Sequence, residues 1–180
     1  MRPLPSPSMD DLATACKRFG PGRLPGADRR TIGAGYAGAS AALGFALAFA
    51  VAMVVLPALG VTSDLVHPFW GASALVALPF VVPTAFAASA LVWRVLPASG
   101  TAAGLVGGLL ATLLTYLGSL VLVFLVAIPL AWSSGTGTVL TEATGLVVLV
   151  GFFAAVLTAW LTIPVGCVCG AVYERARTIS

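Results

Sequence analysis

The fold class predicted for this chain is an all-α integral membrane protein. It is a bundle of four transmembrane helices with both termini on the cytoplasmic side. Three observations carry that expectation: composition, four long uncharged stretches, and the placement of the few charges. Of 180 residues, 59% are hydrophobic and 8% charged, and the mean hydropathy is +1.06. A soluble domain has roughly 45–50% apolar and about 25% charged residues. So few charges cannot solvate a globular surface. This excludes a disordered chain, a disulfide framework, a collagen-like repeat and an ordinary cytosolic enzyme.

Residues 1–30 differ from the rest. They hold six basic and three acidic side chains and the prolines Pro3, Pro5, Pro7, Pro21 and Pro25. Within them, Ser8 to Gly20 reads as a short helix: Ser8 caps it, Asp10 and Asp11 sit in its first turn, and Lys17 and Arg18 in its last. Gly20 followed by Pro21 ends it. Leu12, Cys16 and Phe19 share one face, as in a helix lying in the membrane interface. A loosely ordered tail with a transient helix fits the same residues. The apolar run begins only near Ile32 and is too long for the core of a secretory signal. The segment is therefore expected to stay attached.

From Thr31 to Tyr173 the chain reads as one transmembrane domain. Its spans fall at about 32–59, 69–93, 102–132 and 144–173, followed by a cytoplasmic tail, 174–180. A bilayer core about 30 Å thick needs roughly 20 apolar residues per helix, so each stretch is long enough to cross with some tilt. None has an Asp, Glu, Lys, Arg or His in its interior. All nine basic residues fall before the first span, at Arg94 between the second and third, or at Arg175 and Arg177 after the fourth. The other two loops hold Asp64, His67 and Glu142. The positive-inside rule then places both termini in the cytoplasm of a cell-membrane protein. Trp70 and Trp132 fall at the outer boundary, and Tyr36, Trp93 and Tyr173 at the inner one, as aromatic belts do.

The second and fourth spans end alike. Pro83 to Arg94 can be laid over Pro164 to Arg175 with the same spacing. Ala90 then falls on Ala171, and Ala85 and Ser89 fall on Gly166 and Gly170. The pattern fits a duplicated helical hairpin, two plus two, related by an axis along the membrane normal. The vocabulary of Ala, Leu, Val and Gly common to membrane helices fits it too.

Lipid offers helices no hydrophobic drive to associate, so small residues mark where they pack. The third span carries a stripe of Gly104, Gly108, Thr112, Thr115, Tyr116 and Ser119. The fourth carries Gly151, Ala155, Thr158, Thr162, Gly166 and Gly170. We expect these faces to meet inside the bundle; a homodimer seam is the alternative. Pro79, Pro83 and Pro164 lie within spans, where each removes a backbone donor and tends to kink the helix.

Little chemistry is visible. Cys16, Cys167 and Cys169 are an odd number with no outer-loop member, which argues against structural disulfides. Cys167 and Cys169 point about 200° apart on a helix and cannot chelate one ion without unwinding. His67 and Asp64 resemble an interfacial pair more than a metal site. Gly33, Gly35 and Gly38 match a loose nucleotide-binding spacing, but no strand precedes them. No intramembrane acid or base of the kind used by proton-coupled carriers is apparent.

The expected function is a non-enzymatic membrane module without a cofactor, acting as a homo-oligomer or as an accessory subunit of a membrane complex. The alternative is a small transporter or channel whose pore forms between Thr-, Ser- and Gly-lined helix faces. A membrane-embedded enzyme is the third reading. The expected partners are the bilayer, with anionic inner-leaflet lipid at the basic N-terminal segment, and copies of itself or another membrane protein. Nucleic acid is not among them.

Overall fold

The computed structural model describes residues 23–60, 68–96, 100–133 and 138–178. The expected Ser8–Gly20 helix, Cys16, Asp64 and His67 lie outside the described residues. Among the described residues the chain is all-helical, with four helices long and apolar enough to cross a membrane. They are α1 (Arg30–Ala58), α2 (Pro68–Val95), α3 (Thr101–Ser133) and α4 (Val139–Thr178).

The first three bounds fall within two residues of the expected spans. The fourth helix differs more. It begins at Val139, where Thr138 and Glu142 interact, the Thr138 hydroxyl lying 3.3 Å from Oε1 of Glu142. An acidic residue in a first turn also complements the positive end of the helix dipole. At the other end α4 runs on to Thr178. Its last turns are held by side-chain contacts to the other helices, so Glu174, Arg175 and Arg177 are helical instead of belonging to a tail. Gly60, at φ +66°, ends α1 in the left-handed conformation common after helices.

Successive helices run antiparallel and pack most closely as two hairpins, α1 with α2 and α3 with α4. The hairpins join mainly along α2 and α3, while α1 and α4 pack less closely against each other. All four helices bring one end to a common site that holds Arg30, Trp93, Gly104 and Glu174; we call this the charged end.

Side-chain sizes are distributed opposite to those of a soluble bundle. Ala34, Ala85, Ala88, Ala111, Ala127 and Ala171 are buried, while Leu47, Val51, Leu117, Phe152 and Trp160 are exposed. Lipid solvates large apolar groups as well as a protein core does, so the interior is given to residues that let backbones approach. Exposed polar groups are satisfied locally: the indole N–H of Trp160 donates to the Leu157 carbonyl at 3.0 Å, and Ser73 and Ser133 donate to carbonyls three residues back.

The helices run unbroken through Pro57, Pro79, Pro83, Pro129 and Pro164. Beside Pro83 the Thr84 hydroxyl lies 2.7 Å from the Phe80 carbonyl and 3.0 Å from that of Val81, and it also meets Ser119 of α3 at 2.8 Å.

Candidate functional site: a cleft between two hairpins and its charged cap

The two small-residue stripes meet along most of α3 and α4. A Cβ at Gly104 would stand 2.6 Å from the Gly170 carbonyl oxygen, and one at Gly108 would collide with the Gly166 carbonyl. Gly166 in turn faces the Thr112 hydroxyl. Farther along, the Tyr116 hydroxyl bridges Thr158 at 2.6 Å and Thr162 at 2.8 Å. Ser119 departs from the stripe: it turns to Thr84 of α2. Helical spacing puts Ser119 one turn beyond Tyr116, but there the α3 face has swung toward the other hairpin.

The α1–α2 hairpin uses the same device. Gly38 faces Ala85 and Ser89, Gly35 faces the Phe86 ring, and Gly71 faces Ala50 and Met53. The positions that align between α2 and α4 each pack against a glycine of their hairpin partner. Ala85 and Ser89 receive Gly38, while Gly166 and Gly170 receive Gly108.

Between the hairpins lies a cleft of about 830 Å³. Small side chains of α1 (Ala34, Gly38, Ala41) and larger ones of α2 to α4 wall it, including Phe80, Leu120, Phe153 and Leu157. The hydroxyl-bearing residues Ser89, Thr112, Thr115, Tyr116, Ser119, Thr158 and Thr162 also line it. Four of them are bonded one turn back along their own helices: Thr112 to Gly108, Thr115 to Ala111, Thr158 to Ala154 and Thr162 to Thr158, at 2.7–3.0 Å. Such back-bonding is the usual fate of Thr in a membrane helix. It leaves the wall largely apolar in character.

Trp93 and Tyr173 line the cleft and also belong to the charged end. Glu174, on α4, is 2% exposed and is the largest fully buried side chain. Its Oε1 accepts from the Trp93 indole at 2.7 Å. The same oxygen pairs with Arg30 at 3.5 Å, and Arg177 reaches both carboxylate oxygens at 3.3 and 3.4 Å. Tyr173 donates to the Arg30 carbonyl at 2.6 Å and sets its ring edge-on to Trp93, centroids 5.5 Å apart. Gly107 lets the Trp93 ring in, and Gly33 does the same for the Tyr173 hydroxyl. One carboxylate therefore ties the ends of α1, α2 and α4 together.

This cap corrects two expectations. Trp93 and Tyr173 were assigned to an interfacial belt; Trp93 is 4% exposed and both turn inward, because the indole N–H has a buried carboxylate to bind. Glu174, expected in the cytoplasmic tail, is part of α4 and buried. A signal for it existed: Trp93 and Glu174 are 81 residues apart, the offset that lays Pro83 over Pro164.

Among the described residues, no three His, Cys, Asp or Glu side chains come together as metal ligands. Cys167 and Cys169 are half-buried thiols on α4. No protein-family model, curated protein or solved structure matches this chain.

Proposed function

We propose that this protein is a non-enzymatic, multi-pass membrane module whose working part is the cleft between its hairpins, and that the cleft holds an apolar molecule drawn from the bilayer. In this reading it serves a membrane assembly, as copies of itself or as an accessory subunit. The observation that carries it is the cleft of about 830 Å³ with a predominantly apolar wall. Binding sites for small molecules are typically cavities of ~300–1,000 Å³, mostly apolar with a few placed polar groups. The loosely packed seam between α1 and α4 gives a membrane-dissolved molecule a sideways entrance.

Native mass spectrometry of the protein, extracted gently from its own membrane, tests both parts. An apolar small-molecule adduct on the protein, lost in the cleft-filling variant Ala41→Trp, is the expected result. A bare chain, or an adduct indifferent to Ala41→Trp, would overturn the cleft reading. The masses of protein neighbours distinguish a homo-oligomer from an accessory subunit.

The reading includes an orientation with both termini cytoplasmic and the basic segment 1–30 against anionic inner-leaflet lipid, at about 1 kcal/mol per basic residue near the surface. In a chain with its native cysteines replaced by serine, a membrane-impermeant thiol probe added outside should label a cysteine placed at Ser134. It should not label one at Ser99. The reverse pattern inverts the orientation. A duplicated hairpin is part of the same proposal, supported by the glycine packing of the aligned positions Ala85 and Gly166, and Ser89 and Gly170.

One observation favours a second reading, a pore: the hydroxyl-bearing residues Thr112, Tyr116, Thr158 and Thr162 all line the cleft. A solute flux that survives both Thr112→Leu and Thr162→Leu removes the basis for it.

A further inference from the structure

The contacts within each hairpin differ in kind from those between the hairpins. Within α1–α2, a Cβ at Gly38 would stand 3.0 Å from the Ala85 carbonyl oxygen, and one at Gly71 would stand 3.0 Å from that of Ala50. Within α3–α4, Gly104 and Gly108 meet the Gly170 and Gly166 carbonyls. Backbones this close cannot slide without parting, so each hairpin is a stiff unit. Between the hairpins, Gly107 meets the Trp93 ring and Gly118 meets the Thr84 side chain. Thr84 and Ser119 share a hydrogen bond of 2.8 Å, and Trp70 lies against Phe153 with ring centroids 5.8 Å apart. These are side-chain contacts, which tolerate a change of angle.

At the charged end, polar bonds tie one hairpin to the other. Trp93 of α2 and Arg30 of α1 reach the Glu174 carboxylate at 2.7 and 3.5 Å, and Tyr173 donates to the Arg30 carbonyl. Arg177 reaches the same carboxylate at 3.3 Å from one turn along α4 itself. Glu174 therefore has partners of two kinds. Trp93 and Arg30 belong to the opposite hairpin and leave when the hairpins separate, whereas Arg177 travels with Glu174. A buried charge stripped of every partner is strongly disfavoured. Parting from Trp93 and Arg30 leaves Glu174 a counterion on its own helix.

We infer that the charged end is a latch between two hairpins that rock against each other. In the closed state, the one described above, Glu174 is shared among Trp93, Arg30 and Arg177. In the open state it keeps Arg177 alone, and α1 and α4 move apart at this end about the line where α2 meets α3. Rigid-body rotation of two units about a shared interface is one of the common switching motions. α1 and α4 pack less closely than α2 and α3 do. Opening therefore breaks few apolar contacts, and lipid solvates the surfaces it uncovers. The latch rests on these contacts and is independent of what the cleft holds.

Double electron–electron resonance on the full chain in lipid nanodiscs, with the native cysteines replaced by serine, tests the latch. Spin labels go on exposed residues away from the cap. Ser40 with Val168 spans the seam, Ser40 with Leu91 lies inside one hairpin, and Val106 with Val168 lies inside the other. Trp93→Phe keeps a ring and removes the indole N–H. It should raise the population of a longer Ser40–Val168 distance about tenfold, the effect of one hydrogen bond to a charged group. The two distances inside the hairpins should not move. Adding Arg177→Gln should reverse the gain, because the open state then leaves Glu174 without a counterion. A cap that only holds the fold together gives the opposite sign, since each lost partner loosens it further. In a Glu174→Gln background, which has no charge to accompany, Arg177→Gln should leave the seam distance unchanged. The latch is overturned if Trp93→Phe yields no longer distance, if Arg177→Gln enlarges the open population in either background, or if the distances inside the hairpins lengthen together with the seam. The cleft reading, judged by its own adduct, is unaffected by any of these results.

Discussion

Replacing Arg30 and Arg177 together by glutamine is expected to cost about 3–5 kcal/mol of stability, more than removing Glu174 itself. The reason is the asymmetry of burial. Glu174 is 2% exposed while its arginine partners are 28% and 40% exposed. Taking away the cations leaves a carboxylate in a dry site, and an uncompensated buried charge costs ~3–5 kcal/mol. Taking away the carboxylate leaves two guanidinium groups that reach water or lipid phosphate. For Glu174→Ala the main loss is then the orphaned Trp93 indole N–H, about 1–3 kcal/mol. Glu174→Gln, which still offers that N–H an oxygen, should cost least. Reversible unfolding in mixed micelles, titrated with a denaturing detergent, gives the three values. A double-variant cycle of Glu174→Ala with Trp93→Phe should return a coupling of about 1.5–3 kcal/mol, as for a hydrogen bond to a charged group. If the arginine pair proves the cheapest of the three to remove, Glu174 is not the centre of the cap.

Gly108→Ala is expected to destabilise by about 2–3 kcal/mol, although alanine is the better helix former by ~1 kcal/mol. The added Cβ would collide with the Gly166 carbonyl. That obstacle is backbone and cannot rotate aside, so α3 and α4 must separate; overpacking of this kind costs ~1–3 kcal/mol and occasionally more. Gly104 and Gly170 face each other's carbonyls and should behave the same way. Gly166 meets the hydroxyl of Thr112, a side-chain atom that can turn, and alanine there should cost less. Gly44 and Gly145 have open space where a Cβ would go, so alanine at either should be neutral or stabilising by up to ~1 kcal/mol. The same micelle titration reads the series. Equal effects at Gly108 and Gly44 would mean that the close α3–α4 approach does not exist in solution.

The two sets of variants separate the parts of the molecule. The glycine series acts within one hairpin, while the arginine and glutamate series acts between hairpins at the charged end.

Much of this was determined by the amino-acid sequence alone. Four long stretches without a charge permit little besides four helices in a bilayer, because lipid leaves no other way to satisfy the backbone. The helix-packing stripes were legible for the same reason: Gly104, Gly108, Gly166 and Gly170 recur at helical spacing, and small residues mark close approach where no hydrophobic drive exists. What only the tertiary structure decided depends on which residues distant in the chain become neighbours. Periodicity carried Ser119 along its stripe toward α4, but the packing of the two hairpins turned it to Thr84. Glu174 read as one charge among several past the end of a span. Its burial appears only when Trp93, Arg30 and Arg177 converge from α2, α1 and α4. The cleft has no sequence signature, since it is the space left where α1 and α4 fail to close. Local sequence specifies the helices and their sticky faces; the gaps and buried charges arise from how those faces are shared among four helices at once.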